Sequence, residues 1–412
     1  MDIKSSIEEI RQQFPALTRL YNQKAVAYFD GPGGSQMVQS SIDGMVRYMV
    51  SGGANLHGAF PSSVETEAAI ASAREHAAAL LGASPDEIAF GANMTTLNMA
   101  ISRALCRDWS KGDKVVVTEL DHRANVDPWL RAAADKGAEA DWIRVNSETL
   151  TLDLDSLDEI ITPGTRVVAV GLASNGVGTV TNVRAIADKA HEVGALVVVD
   201  AVHAAPHIAI DRDELGADIL LCSAYKFFGP HMGIACVRRD VFNELGVYKI
   251  EPAPTQIPDK LETGTQNHEG MLGIVGAIDF IASLGEGESL RDRILSAMSA
   301  IEAYEEELAH HLRTELRKID GVTVFAAAVG VRKTPTVSFI VKGVPSRRVC
   351  EILLAEKGIF AADGNFYAST LADKLGVEQH GGWVRAGLAP YNTLAEVEDL
   401  IDGVKRIASK SN

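Results

Sequence analysis

Residues 195–233 read ALVVVDAVHAAPHIAIDRDELGADILLCSAYKFFGPHMG. Two apolar runs, Ala195–Val199 and Ile219–Cys222, are too short and too rich in branched side chains for helices. Their unbroken hydrophobicity predicts strands buried on both faces of a parallel sheet. Each run ends in polar chemistry: Asp200 after the first, Ser223-Ala224-Tyr225-Lys226 after the second. Open α/β sheets bind ligands beyond the carboxyl ends of their strands. A lysine flanked by Ser, Tyr and Gly, with an aspartate one strand away, suits pyridoxal phosphate. Lys226 would form the Schiff base, and Asp200 would pair with the protonated pyridine nitrogen. Taken singly, Asp200 reads as a helix cap and Lys226 as a solvated loop residue; the pair at one rim favours the cofactor.

The pattern extends on both sides. Ile88–Gly91 reads as a strand, followed by Asn93-Met94-Thr95-Thr96 opening a helix through Leu105. Lys114–Val117 is followed by the polar stretch 119–125, and Arg166–Gly171 by Ser174-Asn175-Gly176. Strands alternating with helices predict an α/β fold with a mostly parallel sheet. Five runs therefore deliver Thr95, His122, Asn175, Asp200 and Lys226 to one rim. GPGGSQ at 31–36 is not GxGxxG, so a tight loop is expected there rather than a dinucleotide cradle. Gly52–Gly58 is a second flexible segment, and Ser62–Leu81 an alanine-rich helix stopped by Gly82. Ser5–Phe14 predicts a short amphipathic helix with Ile7, Ile10 and Phe14 on one face.

Beyond Gly233, Ile234–Val237 suggests one more strand. The polar turn 261–267 opens a helix over Gly270–Leu284, where free amides could hold a phosphate or simply be capped by Thr or Asn. Gly285–Glu288 marks a boundary. A large domain over 20–285 is expected, with a smaller α+β domain formed by 1–19 and 286–412. The latter would hold a long helix at Ser289–Lys318, strands near Val322–Phe325, Thr336–Val341 and Val384–Ala389, and helices at Ser346–Lys357 and Leu394–Ser409.

The 412 residues can bury a large core, and the net charge of −16 argues against a nucleic-acid or anionic-membrane partner. The four cysteines, Cys106, Cys222, Cys236 and Cys350, form no CxxC pair and read as reduced core residues of a cytoplasmic protein. The start MDIKSSIEEIRQQF lacks the apolar centre of a signal peptide, and no apolar run is long enough to span a membrane. His203 and His207 have a metal-like spacing, but Pro206 lies between them and no third ligand is evident, so no metal is expected.

The ordered motifs DHRANVDPW, SNGVGT, VVVDAVH, SAYKFFGP, ETGTQN and VRAGLAPYNT resemble those of the class V aminotransferase family of fold-type I pyridoxal phosphate enzymes, close to cysteine desulfurases and selenocysteine lyases. The likeness covers nearly the whole chain, from YFDGPGG onward. It implies an α/β fold of type I, with a mostly parallel seven-stranded sheet in the large domain and a smaller α+β C-terminal domain. It further implies a homodimer and a small amino-acid substrate. By the resemblance Lys226, His122 and Asp200 are catalytic, Lys226 carrying the cofactor and Asp200 its ring nitrogen. His122 would stack on the ring, and Asn175 and His203 would lie beside the phenolic oxygen. Ser223, Thr95 and the backbone at Met94 would cradle the phosphate, with Tyr225 replacing a phosphate-binding histidine. Thr265 would reach the phosphate of the other subunit, and Arg385 would clamp the substrate carboxylate. Asn55 and His57 would approach the substrate.

One departure stands out. Where desulfurases carry a persulfide-forming cysteine, residues 358–370 read GIFAADGNFYAST, with Tyr367 at the cysteine position and no cysteine in the stretch. A thiolate is the group that attacks substrate sulfur. The expectation is therefore a C–S lyase working by β-elimination. Transamination or epimerisation on the same frame is the alternative, and a non-catalytic binding protein a further one.

Overall fold

A computed structural model describes residues 3–410. Seven strands join in one sheet: β1 (Ile88–Gly91), β2 (Lys114–Thr118), β3 (Glu139–Ile143), β4 (Thr165–Gly171), β5 (Leu196–Asp200), β6 (Ile219–Ser223) and β7 (Gly233–Val237). Their order is β1-β7-β6-β5-β4-β2-β3. All pairs are parallel except those of β7, which runs antiparallel to both β6 and β1. β6 and β7 are buried at every position, as their unbroken apolar sequence requires. β3 is the strand the apolar pattern misses. It lies at the sheet edge with only Ile143 buried, so it shows no hydrophobic run. Asp200 pairs in register with Gly171 on one side and Leu221 on the other. The ends of β4, β5 and β6 thus open on one rim.

Helices α1 (Ile7–Gln12), α2 (Gln39–Ser51), α3 (Pro61–Leu81), α4 (Met94–Leu105) and α5 (His268–Ser283) precede the long α6 (Leu290–Arg317). α3 stops at Gly82, whose φ of +69° is left-handed and strained for any residue with a Cβ. α5 begins two residues before the sequence suggests, because the Asn267 side chain caps it by accepting from Gly270 N at 2.9 Å. α1 is shorter than expected and has no side-chain cap at Ser6. α2 and α5 touch backbone to backbone: a Cβ on Gly276 would stand 2.3 Å from the Ser40 carbonyl oxygen.

A second, antiparallel sheet carries β8 (Val322–Phe325), β9 (Thr336–Val341), β10 (Ala362–Gly364) and β11 (Trp383–Gly387) in the order β8-β9-β11-β10. Helices α7 (Ser346–Lys357) and α8 (Leu394–Ser409) accompany it. Residues 27–30, which sequence reading assigns to the large domain, run beside this sheet. Ala27–Tyr28 pairs with Ile359–Phe360, and Gly387 N donates to Phe29 O at 2.8 Å. That pairing aims the following loop, Pro32-Gly33, at the rim of the first sheet.

Phe14 joins the N-terminal segment to both regions. Its ring meets Phe228, Phe280 and Tyr391 edge-on at 5.5, 5.1 and 4.8 Å, and it is fully buried. Phe14→Ala should cost about 3–5 kcal/mol, read as a lower urea midpoint. An unchanged midpoint would show that the cluster does not join the regions.

Candidate active site

A cavity of about 560 Å³ opens at the rim of the first sheet, with Arg385, Phe366 and Tyr367 from the C-terminal region on its far wall. Lys226 sits in the single turn that follows β6 and is only 9% exposed. Its Nζ donates to Pro32 O and, at 3.1 Å, to Gly33 O. Burial, helped by the positive charge of Arg385, lowers its pKa to about 7; Asp30 and Asp200 oppose the shift. At that value a large share of the amine is neutral near physiological pH and available as nucleophile and base. The solvated-loop reading of Lys226 is thereby excluded.

Asp200 ends β5 and lines the same cavity. Burial raises its carboxyl to about 6, against the Val202 amide donating at 2.9 Å and the charge of Lys226. Behind it lies Asp121, raised to about 7 chiefly by burial, although Gly171 N donates to it at 2.7 Å. A Cβ on Gly171 would come within 2.7 Å of that carboxylate, so any larger residue there would have to displace Asp121. A cation placed here would restore both carboxylates to their charged form.

The other end of the cavity is a donor cluster. Asn93 caps α4 and its Oδ1 accepts from Thr96 N, leaving the first amides and the exposed Thr95 directed to the rim. Ser223 Oγ accepts from Met94 N at 3.0 Å, which keeps its own proton free to donate. Tyr225 lies flat on His231, with ring centroids 4.9 Å apart at 11°, and its hydroxyl makes no hydrogen bond among the described residues. Amides and hydroxyls at one end, a carboxylate and a buried amine at the other, fit pyridoxal phosphate. The buried Asn175 Oδ1 and Arg385 Nε, both without partners, are consistent with further polar groups entering the cavity.

His122 accepts from Ala124 N at its Nδ1, 3.0 Å away, which places the ring proton on Nε2. Burial, then the charges of Lys226 and Arg385, lower its pKa to about 4, so the imidazole is neutral. Arg385, on β11, is 3% exposed; its Nη1 donates to Asn175 O at 3.0 Å, and its Nη2 lies 3.9 Å from Asp30 Oδ1. Phe366 covers the guanidinium at 3.6 Å. Asn175 Nδ2 in turn donates to Phe366 O at 2.8 Å. Phe366 and Tyr367 both have positive φ, +51° and +59°, a left-handed pair that aromatic residues rarely adopt. Tyr367 is 71% exposed at the mouth, its ring 5.4 Å from that of His122.

The structure thus brings together Met94, Thr95, His122, Asn175, Asp200, His203, Ser223, Tyr225, Lys226, Tyr367 and Arg385 around one cavity. Three expected residues stand apart. Asn55, His57 and Thr265 are exposed and do not line it within this chain. Asn55 and His57 sit in the loop before α3, where His57 Nδ1 is 3.3 Å from Glu67. His203 lines the cavity, but its Nε2 is engaged by Thr334 and Thr336 at 3.0 and 2.9 Å. His207 pairs with the buried Glu305 at 2.9 Å. Asp30, Pro32, Asp121, Phe366 and His231 were not foreseen. Asp121 stands beside His122 at a strand end, a signal in plain view. His231 stacks on Tyr225 within one loop; Asp30, Pro32 and Phe366 depend on pairing between distant segments.

The family model described as aminotransferase class-V matches residues 27–400. An uncharacterized protein of Mycobacterium tuberculosis is 36% identical over 91% of this chain and 93% of its own length. An aminotransferase-like protein of Gibberella zeae is 32% identical over 98% of each chain. The apo structure of a cysteine desulfurase from Thermococcus onnurineus superposes with a TM-score of 0.88 at 25% identity, covering 98% of both chains.

In the cofactor-free protein, acetylation of Lys226 should rise as pH climbs through about 7, because its folded pKa is lowered and the neutral amine forms early. Surface lysines should follow only near their ordinary value of about 10. Peptide mapping across pH reads both; a Lys226 midpoint with the surface lysines would refute the buried-amine geometry.

Proposed function

Because the chain belongs to the aminotransferase class-V family, whose members depend on pyridoxal phosphate, we propose that it is a lyase cleaving the Cβ–S bond of a cysteine-derived amino acid. The observation that carries this is the buried, neutral-leaning Lys226 facing Asp200 in a cavity that no cysteine lines. All four cysteines are buried among the described residues, and residues 358–370 contain none. Sulfur therefore has no thiolate acceptor at the mouth, which favours release over storage as a persulfide.

Lys226 and Asp200 would hold the cofactor ring at opposite ends, with Thr95, Ser223 and Tyr225 at its phosphate and the Met94 amide fixing Ser223 Oγ. When bound, pyridoxal phosphate supplies an electron sink for charge developing at the substrate Cα. The chain's residues do the rest. Arg385, held by Asn175 O and Asp30 and covered by Phe366, presents its guanidinium to the substrate carboxylate. Lys226 Nζ takes the Cα proton, and the Cβ–S bond then breaks with its electron pair leaving on sulfur. The neutral His122 ring packs against the reacting face and keeps water from it. The sulfur leaves as a thiol or sulfide after taking up a proton, and the enamine released from the site tautomerises to an imine that one water hydrolyses to pyruvate and ammonia. Thr265, exposed on this chain, supports a homodimer in which it serves the partner's phosphate; Asn55 and His57 fit the same reading. Buried, unpaired thiols suit a reducing, cytoplasmic setting. No helix among the described residues is long and apolar enough to cross a membrane.

A second reading, epimerisation or transamination, is favoured by one feature: the Tyr367 phenol beside His122, a proton donor at the mouth.

Cysteine and its thioethers should yield pyruvate with sulfide or thiol in equal amounts, and sulfoxides pyruvate with an equal amount of sulfenic acid. Keto acid that appears only with an amino acceptor, or loss of optical rotation without pyruvate, would sink the lyase in favour of the second reading. Lys226→Ala should lower turnover by about 10²–10⁴-fold with an unchanged far-ultraviolet spectrum. Arg385→Lys should raise KM about tenfold or more, since a point charge replaces a two-pronged donor; an unmoved KM would place the substrate carboxylate elsewhere.

A further inference from the structure

A second recess, of about 510 Å³, lies between the outer face of α6 and the loop 327–333, and shares no residue with the cofactor cavity. Its charges do not balance. Arg313, Arg317, Arg332 and Lys333 face only two carboxylates, Glu302 and Glu306, in a chain whose net charge is −16. Glu302 is used up by Arg332, which grips it with two bonds of 2.6 Å. Glu306 pairs with Arg313 through Nη2. Arg313 is 2% exposed, yet its Nη1 has no hydrogen-bond partner. Arg317 makes no hydrogen bond or ion pair among the described residues. Lys333 meets only backbone carbonyls, of Ala328 at 2.9 Å and of Val331. Burial, with the charges of Arg313 and Arg317, pushes its ammonium below the ordinary lysine value. Two positive charges and a buried guanidinium nitrogen thus converge without a counter-ion, in a recess of small-molecule size.

We propose that this recess binds a compact dianion, a phosphate ester or a small dicarboxylate, at a site separate from the cofactor cavity. A guanidinium fork and an ammonium suit either group. The site is tied to the cofactor cavity by the chain itself. Arg332 O accepts from Val180 N at 3.0 Å, and Thr179 bridges to Lys333. The next residue, Thr334, donates its amide to Gly178 O at 2.8 Å and holds His203 through its hydroxyl. The same turn, 174–180, carries Asn175. An anion that draws Lys333 inward therefore acts on the segment that sets His203 and Asn175.

Pyrophosphate and malonate, as sodium salts at constant ionic strength, test the site by calorimetry on the cofactor-loaded enzyme, whose phosphate cradle is already filled. One equivalent per chain is expected to bind saturably. The double variant Arg317→Gln/Lys333→Gln, both partly or fully exposed positions, should bind at least tenfold more weakly. Tighter pyrophosphate than malonate assigns the phosphate class, and the reverse assigns the dicarboxylate. The visible circular dichroism of the bound cofactor should change on titration in the parent and not in the double variant. Equal affinity in the two proteins would overturn the proposal by assigning the binding to Arg385 or the phosphate cradle, as would heats no larger than those of chloride. These outcomes do not depend on which substrate the enzyme turns over.

Discussion

Dehydration of one amine governs this molecule. A lysine beyond a strand end would ordinarily stay in water and charged. Lys226 is held instead under Pro32-Gly33, with Arg385 repelling its proton and two carboxylates only partly restoring it. The neighbouring acids respond to the same dry setting. Asp200 and Asp121 are pushed toward neutrality by the same burial. Nearly every feature of the site is a way of keeping water from that amine while giving its partners defined positions.

That enclosure needs the two sheets to meet. The rim of the first sheet supplies Asp200, Ser223 and Lys226, but the lid over the lysine comes from residues 27–33. Those are fixed by pairing with Ile359–Phe360 and with Gly387. Arg385 reaches the cavity from β11, and Asn175 bonds across to Phe366. The left-handed pair Phe366-Tyr367 turns the loop so that one ring covers the arginine and the other faces His122. The backbone strain at two aromatic residues marks a loop whose shape is set by the site and not by local preference. Family membership accounts for the frame.

The recess behind α6 follows a different logic. Its cations are not buried for chemistry; they are gathered on a helix face and a loop, with too few acids to neutralise them. The loop they sit on continues into the contacts of His203.

Much was legible in the chain alone. Unbroken branched-apolar runs specify β4 to β7 because strands buried on both faces must be apolar throughout. The polar residue following each run specifies the rim, and the ordered motifs specify the family. Period and composition could not find β3, whose exposed edge carries no hydrophobic signal, nor the start of α5, which a side-chain cap decides. Only the folded chain could decide that Lys226 is neutral-leaning, because its desolvation comes from residues nearly two hundred positions away. Only tertiary structure, likewise, leaves Asn55, His57 and Thr265 outside the cavity of their own chain and sets Asp30 beside Arg385. Sequence records which groups arrive at a strand end; the distances between segments, and the water they exclude, settle what charge those groups carry.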